Sequence, residues 1–556
     1  MDSSATSPKY ERRPFSIKLW PPSENTRQML VDRVTRNFTS QSIYARKYGN
    51  LGKEEAEENA KRIEAVAFEA ASQRYENEPD GDGGSAVQLY ARECSKLILD
   101  VLKRGPAPKE DMEDLPSEEG DLVCNKDGME VTTPPPETFF DISKGSRSFI
   151  GAEETEEILK PLKEPGNSYS KICLSNRSFG LEAARVAGPV LESIKDQLKE
   201  VDLSDFIAGR PEDEALEVMT IFSTALEGSI LRSLNLSDNA LGEKGVRAFE
   251  ALLKSQSCLE ELYLMNDGIS EEAARAVCEL IPSTEKLKLL RFHNNMTGDE
   301  GALAIAQVLK HCPLLEDFQC SSTRVGAEGG AALSEALESC TKLKTLDLRD
   351  NMFGIEAAVA LAKAIPKLPS LTEIYLSYLN LEDEGAMVIA DALKDSAPSL
   401  EVLDMMGNDI TIEATPSIAA CIALKQNLKK LNLDENELKD EGAVHIAKAL
   451  ETDHSQLKQV DVNTNSIGRA GARVLAKVVV QKPEFDLLNI NGNFISDEGI
   501  DEVKELFAKC PGKLGPLDEN DPDGVGDAEE SDEEGDGDDD HDLESKLKHL
   551  EVNEED

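Results

Sequence analysis

Residues 231–239 read LRSLNLSDN, a frame with leucine at the first, fourth and sixth places and asparagine at the ninth. The frame starts again at nine later positions, each 28 or 29 residues after the one before. These starts are Leu259, Leu287, Leu315, Leu343, Leu371, Leu400, Leu428, Leu457 and Phe485. Two weaker copies precede it, at Tyr169 and Leu198. About twelve copies at so regular a spacing predict a chain built from repeats.

The residues of one copy predict how it folds. The two leucines of Leu-x-Leu lie on one face of a short strand, and the residue between them faces the other way. The stretch GALAIAQVL at 301–309 has apolar residues at helical spacing, which predicts a helix behind the strand. Narrow strands inside and wider helices outside curve the stack. We therefore predict an α/β fold, a leucine-rich-repeat horseshoe solenoid of about 12 repeats with inner parallel strands and outer helices.

The asparagine that ends the frame recurs in seven of the ten regular copies. An amide side chain both donates and accepts hydrogen bonds, so it can satisfy backbone groups of the turn. We predict that this ladder of side chains is structural and that no member of it is catalytic. The seven are Asn239, Asn295, Asn351, Asn408, Asn436, Asn465 and Asn493.

The remaining segments differ from the repeats in composition. We predict a flexible N-terminus over residues 1–15, a small all-α domain over 16–104 and an acidic, proline-rich linker over 105–136. Residues 137–512 are expected to hold a cap and the repeats, because an open solenoid end exposes apolar surface. Acidic residues make up half of the sequence after residue 516. Such a run cannot bury enough surface to fold, so we expect a disordered tail over 513–556.

Charge and motifs exclude several classes of protein. The chain has 60 Lys plus Arg against 108 Asp plus Glu, a formal net charge of −48, which argues against binding of nucleic acid. No segment approaches the roughly 20 apolar residues of a membrane helix, and no signal core precedes the first domain, so we expect no membrane insertion. The ten cysteines form no Cys-x-x-Cys pair, which favours a reducing compartment, the cytosol. Motifs of phosphate loops, zinc proteases and serine hydrolases are absent from the sequence, so we predict a binding surface.

One repeat is longer than its neighbours. The step from Leu198 to Leu231 is 33 residues, and the extra length falls in FIAGRPEDEA at 206–215. Insertions in solenoids map to loops on one face, often the binding face. We therefore expect Arg210 to project from this loop. The alternative is an ordinary surface arginine paired with Glu212 or Asp213.

A second irregularity lies two repeats further along. Asn266 precedes the ladder position, which Asp267 holds in this repeat, so Asn266 is expected to point away from the ladder. Asn294 occupies the same column one repeat later. Because adjacent parallel strands lie about 4.8 Å apart, two repeats separate the loops of Arg210 and Asn266 by roughly 10 Å. One partner could contact both residues.

The segments AGRPEDEAL at 208–216, LNLSDNALG at 234–242 and LYLMNDGIS at 262–270 resemble the Ran GTPase-activating protein family. That family has the same horseshoe followed by an acidic tail, and the resemblance covers roughly residues 140–556. Its Gly-Arg-x-x-Asp-Glu motif matches at Arg210, and its Tyr-Leu-x-Asn-x-Gly motif matches at Asn266.

The chain also departs from the fungal members of that family. It has Pro211 and Glu212 where they carry an aliphatic and a basic residue. It has Asp267 where they carry a second asparagine. The resemblance therefore implies that Asn266 and Arg210 are the functional pair, while the residues next to them in the two loops differ from those of the fungal members.

The N-terminal domain carries another resemblance. LWPPS at 19–23, followed by helical patterns, is similar to the plant Trp-Pro-Pro domain. That resemblance implies a nuclear-envelope targeting module that docks on coiled-coil anchor proteins through Trp20, Pro21 and Pro22. The alternative is that Trp20 packs on the first helix as an N-terminal staple, with Ser23 as its N-cap.

Together the two resemblances imply an activator of Ran that is not itself an enzyme. It would bind Ran in its GTP form and stimulate hydrolysis in nucleocytoplasmic transport, needing no cofactor because the GTPase holds the GTP and the magnesium. Asn266 would orient the glutamine of Ran. Arg210 would anchor its loop or contact the partner, since the family works without an inserted arginine finger. The implied location is cytoplasmic, at the outer face of the nuclear envelope, with the spindle or cell plate during division.

A different class of function stays open at this point. A non-catalytic leucine-rich-repeat scaffold, or an inhibitor similar to ribonuclease inhibitor, has the same fold. It would bind its partner tightly and leave nucleotide hydrolysis unchanged.

Overall fold

The computed structural model describes residues 52–77 and 138–521 except Ser146, together with separate positions between residues 21 and 101. The chain divides into two compact units, Met1–Thr133 and Pro134–Asp556. The division falls inside the segment predicted as a linker. The predicted flexible N-terminus, the linker over 105–136 and residues 522–556 of the predicted tail lie outside the described residues. No helix in the described part of the chain is long and apolar enough to span a bilayer.

The first unit contains the helix α1, Lys53–Asn77. Alanines and one isoleucine recur along one side of α1 and are buried. Within the same side, Glu64 is 7% exposed and accepts hydrogen bonds from Arg27 at 2.6 and 2.9 Å and from Tyr90 at 2.9 Å. The buried residues that form this core are Val31, Val34, Phe38, Ala56, Ala60, Ile63, Ala67, Cys94 and Val101.

The second unit is built on one parallel sheet of 13 strands. Each strand pairs with the strand of the next repeat, and β2 and β4 form a separate pair. The strands of both sheets are β1 Thr138–Asp141, β2 Ser148–Ile150, β3 Tyr169–Cys173, β4 Arg177–Phe179, β5 Glu200–Asp202, β6 Ser233–Asn235, β7 Glu261–Tyr263, β8 Leu289–Arg291, β9 Asp317–Gln319, β10 Thr345–Asp347, β11 Glu373–Tyr375, β12 Val402–Asp404, β13 Lys430–Asn432, β14 Gln459–Asp461 and β15 Leu487–Asn489.

Helices connect successive strands, and each packs on the helix of the next repeat. They are α2 Ala152–Ile158, α3 Lys160–Lys163, α4 Leu181–Ile194, α5 Glu212–Ala225, α6 Gly242–Ala248, α7 Glu250–Lys254, α8 Glu271–Leu280, α9 Gly298–Leu309, α10 Ala327–Leu337, α11 Gly354–Ala364, α12 Glu382–Lys394, α13 Thr415–Ile422, α14 Lys439–Glu451, α15 Arg469–Val479 and α16 Asp497–Leu506. Strands inside and helices outside are the arrangement that the leucine frame predicts, and the fold prediction is confirmed.

The leucines of the frame form one continuous core. Leu234 and Leu236 are both at most 1% exposed, while Asn235 between them is half-buried on the strand's other side. Burying one leucine side chain contributes about 1.5–3 kcal/mol, and the neighbouring repeats repeat the contribution. No repeat can bury its leucines alone, which is why the stack folds as a unit.

The predicted asparagine ladder is also confirmed, because all seven of its asparagines are buried. Asn239 shows how one member works. Its Nδ2 donates to the carbonyl oxygens of Leu203 at 2.8 Å and Leu236 at 2.7 Å, so the side chain joins two repeats. Its Oδ1 accepts the backbone N–H of Phe206 at 3.0 Å.

The N-terminal end of the solenoid has the predicted cap, with a strand that the prediction did not specify, and the C-terminal end differs from the prediction. The cap supplies β1, which pairs with β3, so the sheet has a strand before the first repeat. At the other end, residues 513–521 belong to the solenoid and not to the tail. The N–H of Gly515 donates to the oxygen of Leu488, and Asn520 accepts the N–H of Asn493 at 2.9 Å. The predicted tail boundary is therefore wrong by nine residues, because Asn520 extends the ladder without a Leu-x-Leu strand before it.

Candidate functional site

The longer repeat forms a loop of nine residues, 203–211, between β5 and α5. The corresponding loop between β8 and α9 has six residues, 292–297. Phe206 is fully buried and packs its ring 5.0 Å from that of Phe222, which fixes the start of the loop in the core. Pro211 occupies the position before α5. The first turn of that helix carries three acidic residues, which the positive end of the helix dipole stabilises.

Arg210 folds back onto the preceding repeat. Its Nε donates to Ser178 Oγ at 3.0 Å and its Nη2 to the Ser178 carbonyl oxygen at 2.6 Å. Its Nη1 lies 3.6 Å from Glu214, and its guanidinium lies 4.9 Å from the centre of the Phe149 ring. The side chain is only 16% exposed. The expectation that Arg210 projects from the loop is therefore wrong, and so are the alternative partners Glu212 and Asp213.

Two glycines make room for this arrangement. A Cβ at Gly180 would come within 2.8 Å of Arg210 Nη1. Gly209 has φ +78°, and a Cβ there would come within 2.9 Å of the Phe149 ring. The acceptors of Arg210 are held as well, since Ser178 Oγ donates to Ala208 and Glu214 accepts the N–H of Leu181 at 3.0 Å. These contacts, called the Arg210 bracket below, hold Arg210 in a fixed position between two repeats in the unbound chain.

Asn266 lies exposed in the loop after β7, as the sequence predicts. Its Nδ2 donates to Asp238 Oδ1 at 2.8 Å, and its Oδ1 accepts from Asn294 Nδ2 at 2.7 Å. The three side chains form a row across three repeats. Asn266 and Asn294 still have hydrogen-bonding capacity, because an amide offers two hydrogens and two lone pairs, and the Asp238 carboxylate keeps further acceptor sites. Asn266 can therefore bind a second amide without leaving the row.

The backbone places this row at the edge of the sheet. Asp238, Asn266 and Asn294 have φ of 64°, 56° and 53°, in the left-handed region. Asparagine and aspartate tolerate that region better than most residues. Later repeats have left-handed residues at the same turn, so the conformation belongs to the repeat and marks no strain special to Asn266. What distinguishes Asn266 is its pair of hydrogen-bonded neighbours.

Three residues that the sequence prediction missed lie beside Asn266. Asn266 and Asn294 line a depression of about 540 Å³ together with Met296, Arg324 and Met352. The two methionines are 44% and 57% exposed. Exposed methionine and arginine are enriched where proteins bind one another.

Arg324 is unusual among the arginines of this edge. Arg291 pairs with Asp317 at 2.6 Å and Arg349 with Asp347 at 2.8 Å. Arg324 is exposed and forms no ion pair with a carboxylate in the described part of the chain. The signal in the sequence is that Arg324 directly follows a ladder position. It is the one basic residue at that place among the ten regular repeats.

The residues predicted for anchoring are only partly described. Pro21 is exposed and lies in a bend. Trp20 and Pro22 lie outside the described residues. The nine described cysteines are free, and the described residues contain no cluster of ligands for a metal ion.

Comparison with known proteins gives matches to both units. The model of the WPP domain matches residues 16–112, where the sequence predicts the small domain at 16–104. The leucine-rich-repeat model matches residues 230–249, 339–362 and 425–447. An attachment factor of tomato, MFP1 attachment factor 1 of Solanum lycopersicum, is 36% identical over 93 residues, which cover 17% of this chain and 60% of that protein.

Two relatives match along the whole chain. RAN GTPase-activating protein 2 of Arabidopsis thaliana is 72% identical over 546 residues, covering 98% of each chain. RAN GTPase-activating protein 1 of the same plant is 62% identical over 554 residues, covering 100% of this chain and 99% of that protein. Identity at this level over both units shows that the chain belongs to the family of plant Ran GTPase-activating proteins.

Proposed function

We propose that the chain stimulates GTP hydrolysis by the small GTPase Ran. The observation that carries this proposal is the full-length identity of 72% to a protein with that name. The exposed row at Asn266 supports it, because it offers an amide at the edge of a rigid sheet. The experiment is a single-turnover measurement of phosphate release from GTP-loaded Ran with and without the chain.

In this proposal Asn266 acts on the glutamine of the GTPase that holds the attacking water. Hydrolysis needs that water in line with the γ-phosphate, and holding it there is a positioning effect. Asp238 and Asn294 hold the Asn266 amide from both sides at 2.7–2.8 Å, so its free hydrogen and lone pair have a set direction. A preorganised amide of this kind costs no reorganisation when the partner binds.

Arg210 has a different role in the proposal. A finger must reach the phosphates, and Arg210 already contacts Ser178, Glu214 and Phe149 within the chain. We infer that it anchors the 203–211 loop, so that the loop meets the GTPase in one conformation. Phe149 is 61% exposed beside it and can extend the contact surface.

The chain is then an activator and not an enzyme with a nucleotide site of its own. GTP and magnesium stay with the GTPase, and the chain needs no cofactor. A scaffold or an inhibitor similar to ribonuclease inhibitor would bind without changing the hydrolysis rate, so the same single-turnover measurement separates the two classes.

Replacing Arg324 by Ala is expected to raise the activator concentration for half-maximal rate by about tenfold. An arginine that has no ion pair among the described residues and lies between two exposed methionines has the composition of an interface hot spot, whose loss costs about 1–2 kcal/mol of binding. The maximal rate should stay unchanged because Arg324 acts in binding only.

Arg275→Ala is the matched control. The side chain of Arg275 is 43% exposed, pairs with Glu300 at 3.0 Å and lies on α8 instead of in a loop. Half-saturation that is equal for the two variants would remove Arg324 from the proposed interface.

We further propose that the first unit directs the chain to the outer, cytoplasmic face of the nuclear envelope through coiled-coil anchor proteins, and to the spindle or cell plate in division. The match to the WPP domain and the similarity to an attachment factor support this. In the proposal, Trp20, Pro21 and Pro22 contact the anchor.

Replacing Trp20 and Pro21 together by Ala is expected to disperse a fluorescent fusion of the full chain from the nuclear rim. The reason is that a large aromatic and an adjacent rigid proline can supply most of a small contact's energy. Activation of Ran in solution should remain at the wild-type rate. Lys53→Ala, an exposed change at the start of α1, is the control that should keep the rim signal. A folded double variant that stays at the rim would contradict the role of these two residues.

A further inference from the structure

The ladder needs a side chain that donates and accepts at once. In Asn295, Oδ1 accepts the N–H groups of Asp267 at 3.1 Å and Ile269 at 3.0 Å. Its Nδ2 donates to the carbonyl oxygens of Leu264 and Phe292, both at 2.7 Å. An amide has both functions on one planar group.

Asp267 holds the same ladder position with a carboxyl group. It is fully buried, and its Oδ1 accepts the N–H of Asn239 at 2.9 Å. Its Oδ2 is buried without a hydrogen-bond partner among the described residues. Asp267 lies one repeat of 28 residues before Asn295, so its Oδ2 takes the place of the Asn295 Nδ2. The carbonyl oxygens that correspond to those of Leu264 and Phe292 are then those of Leu236 and Leu264, and we infer that Oδ2 faces them.

The charge state of Asp267 follows from this surrounding. An ionised oxygen that faces carbonyl oxygens is repelled by them and has lost its water, which is a costly arrangement. A proton on Oδ2 turns that oxygen into a donor and restores the bonds that the amide makes in other repeats. The carboxylic acid, and not the carboxylate, therefore fits the ladder.

We propose that Asp267 works as a neutral carboxylic acid and is a positioning residue that fixes the 264–270 loop from which Asn266 is presented. The claim that the neutral form of Asp267 stabilises the fold rests on the ladder geometry alone. The claim that Asp267 positions Asn266 for activation of Ran rests on the function proposed above. Ionisation of Asp267 should loosen the loop and move Asn266 out of its row.

The charges around Asp267 support the neutral form. Burial raises the pKa of Asp267 well above its ordinary value, and the carboxylate of Asp238 in the preceding loop raises the pKa further, against a lowering by the Asn239 N–H. The following loop faces it with the uncharged Asn295. The titratable side chain of that loop, His293, is hydrogen-bonded to Ser321 at 2.9 Å.

The first test compares thermal midpoints of the full chain and its Asp267→Asn variant between pH 4 and pH 8.5. A raised folded-state pKa means that the folded chain keeps a proton that the unfolded chain loses near pH 4. The stabilisation is complete below the unfolded pKa and is lost as pH rises toward the folded pKa. The variant should match the wild type near pH 4 and melt at progressively higher temperature than it as pH rises.

A difference in midpoint that does not change with pH would overturn the neutral form. Failure of the Asp267→Asn chain to fold would overturn it too, because the amide is what seven other ladder positions carry. This test needs no GTPase, so it stands even if the chain does not activate Ran.

The second test measures single-turnover rates at saturating activator. Asp267→Asn should keep the wild-type maximal rate at pH 6.5, whereas Asp267→Ala, which has neither function, should lower it about tenfold or more. Above the pKa of Asp267 the wild-type rate, divided by that of the Asn variant, should fall with pH, up to about tenfold per unit. The control Asn465→Asp places the same group in a ladder position seven repeats away. It should make stability pH-dependent and leave the maximal rate at pH 6.5 unchanged.

Full activity of Asp267→Ala would overturn the positioning role. Loss of activity in Asn465→Asp equal to that in Asp267→Ala would do the same, because it would assign the effect to overall stability.

Discussion

Asn266→Ala is expected to lower the maximal rate of GTP hydrolysis by Ran about 10²-fold, or about 3 kcal/mol, with little change in the concentration of half-saturation. In the proposed mechanism the amide acts mainly in the transition state, where it would hold the partner's glutamine. Truncating it also frees Asp238 and Asn294, which then no longer share a row. Single-turnover rates across a range of activator concentrations measure both quantities.

Thr464→Ala is the matched control for Asn266. Thr464 is exposed and has φ 52°, so it occupies the same left-handed turn position seven repeats further on. The control should activate at the wild-type rate. A full maximal rate for Asn266→Ala would remove the amide from the mechanism.

Arg210→Ala is expected to raise half-saturation about tenfold and to lower the thermal midpoint, while high activator concentration recovers the maximal rate. The change removes two hydrogen bonds to Ser178 and leaves Glu214 without its cation, which together cost about 1–3 kcal/mol. The 203–211 loop then samples several conformations, and only some fit the partner.

An arginine-finger role for Arg210 would give a different result in the same measurement. If Arg210 left its bracket to neutralise the phosphates, its loss would cost about 10³-fold in the maximal rate at any concentration. Glu214→Gln separates the roles further. It weakens the bracket without touching Arg210, so the anchoring role expects a smaller effect in the same direction as Arg210→Ala, and the finger role expects none.

The fold could be predicted because every copy of the leucine frame contains the residues that form and bury its strand. The leucines, the outward residue between them and the closing asparagine all have local reasons, and the structure has each as expected. The two ends could not be predicted in the same way. The strand β1 has no leucine frame, since TFFD pairs with β3 through backbone hydrogen bonds that any sequence can make. Asn520 extends the ladder without a Leu-x-Leu strand before it, so the leucine frame does not predict it.

For the candidate residues, exposure or burial was predictable where it follows from the repeat, and contacts with distant residues were not. Asn266 is exposed because its place before the ladder follows from the repeat. Arg210 turns inward to contact Ser178 and Phe149. This orientation could not be predicted, because the two partners lie 32 and 61 residues earlier in the sequence and no local pattern spans that separation. Arg324 and Asp267 did leave signals, because Arg324 is the one basic residue in its column and Asp267 is the one charged residue in the ladder column of the ten regular repeats. Their meaning depends on the exposed depression and on a buried oxygen without a hydrogen-bond partner in the described structure, which only the folded chain reveals.

The most direct test of the central claim is the single-turnover hydrolysis of GTP bound to Ran, with increasing amounts of the full chain and of Asn266→Ala. We expect the full chain to raise the rate by orders of magnitude to a plateau, and Asn266→Ala to reach a plateau about 10²-fold lower at a similar half-saturation. Binding without acceleration would contradict the proposed function and support the scaffold. Equal plateaus for the two chains would contradict the mechanism that Asn266 carries.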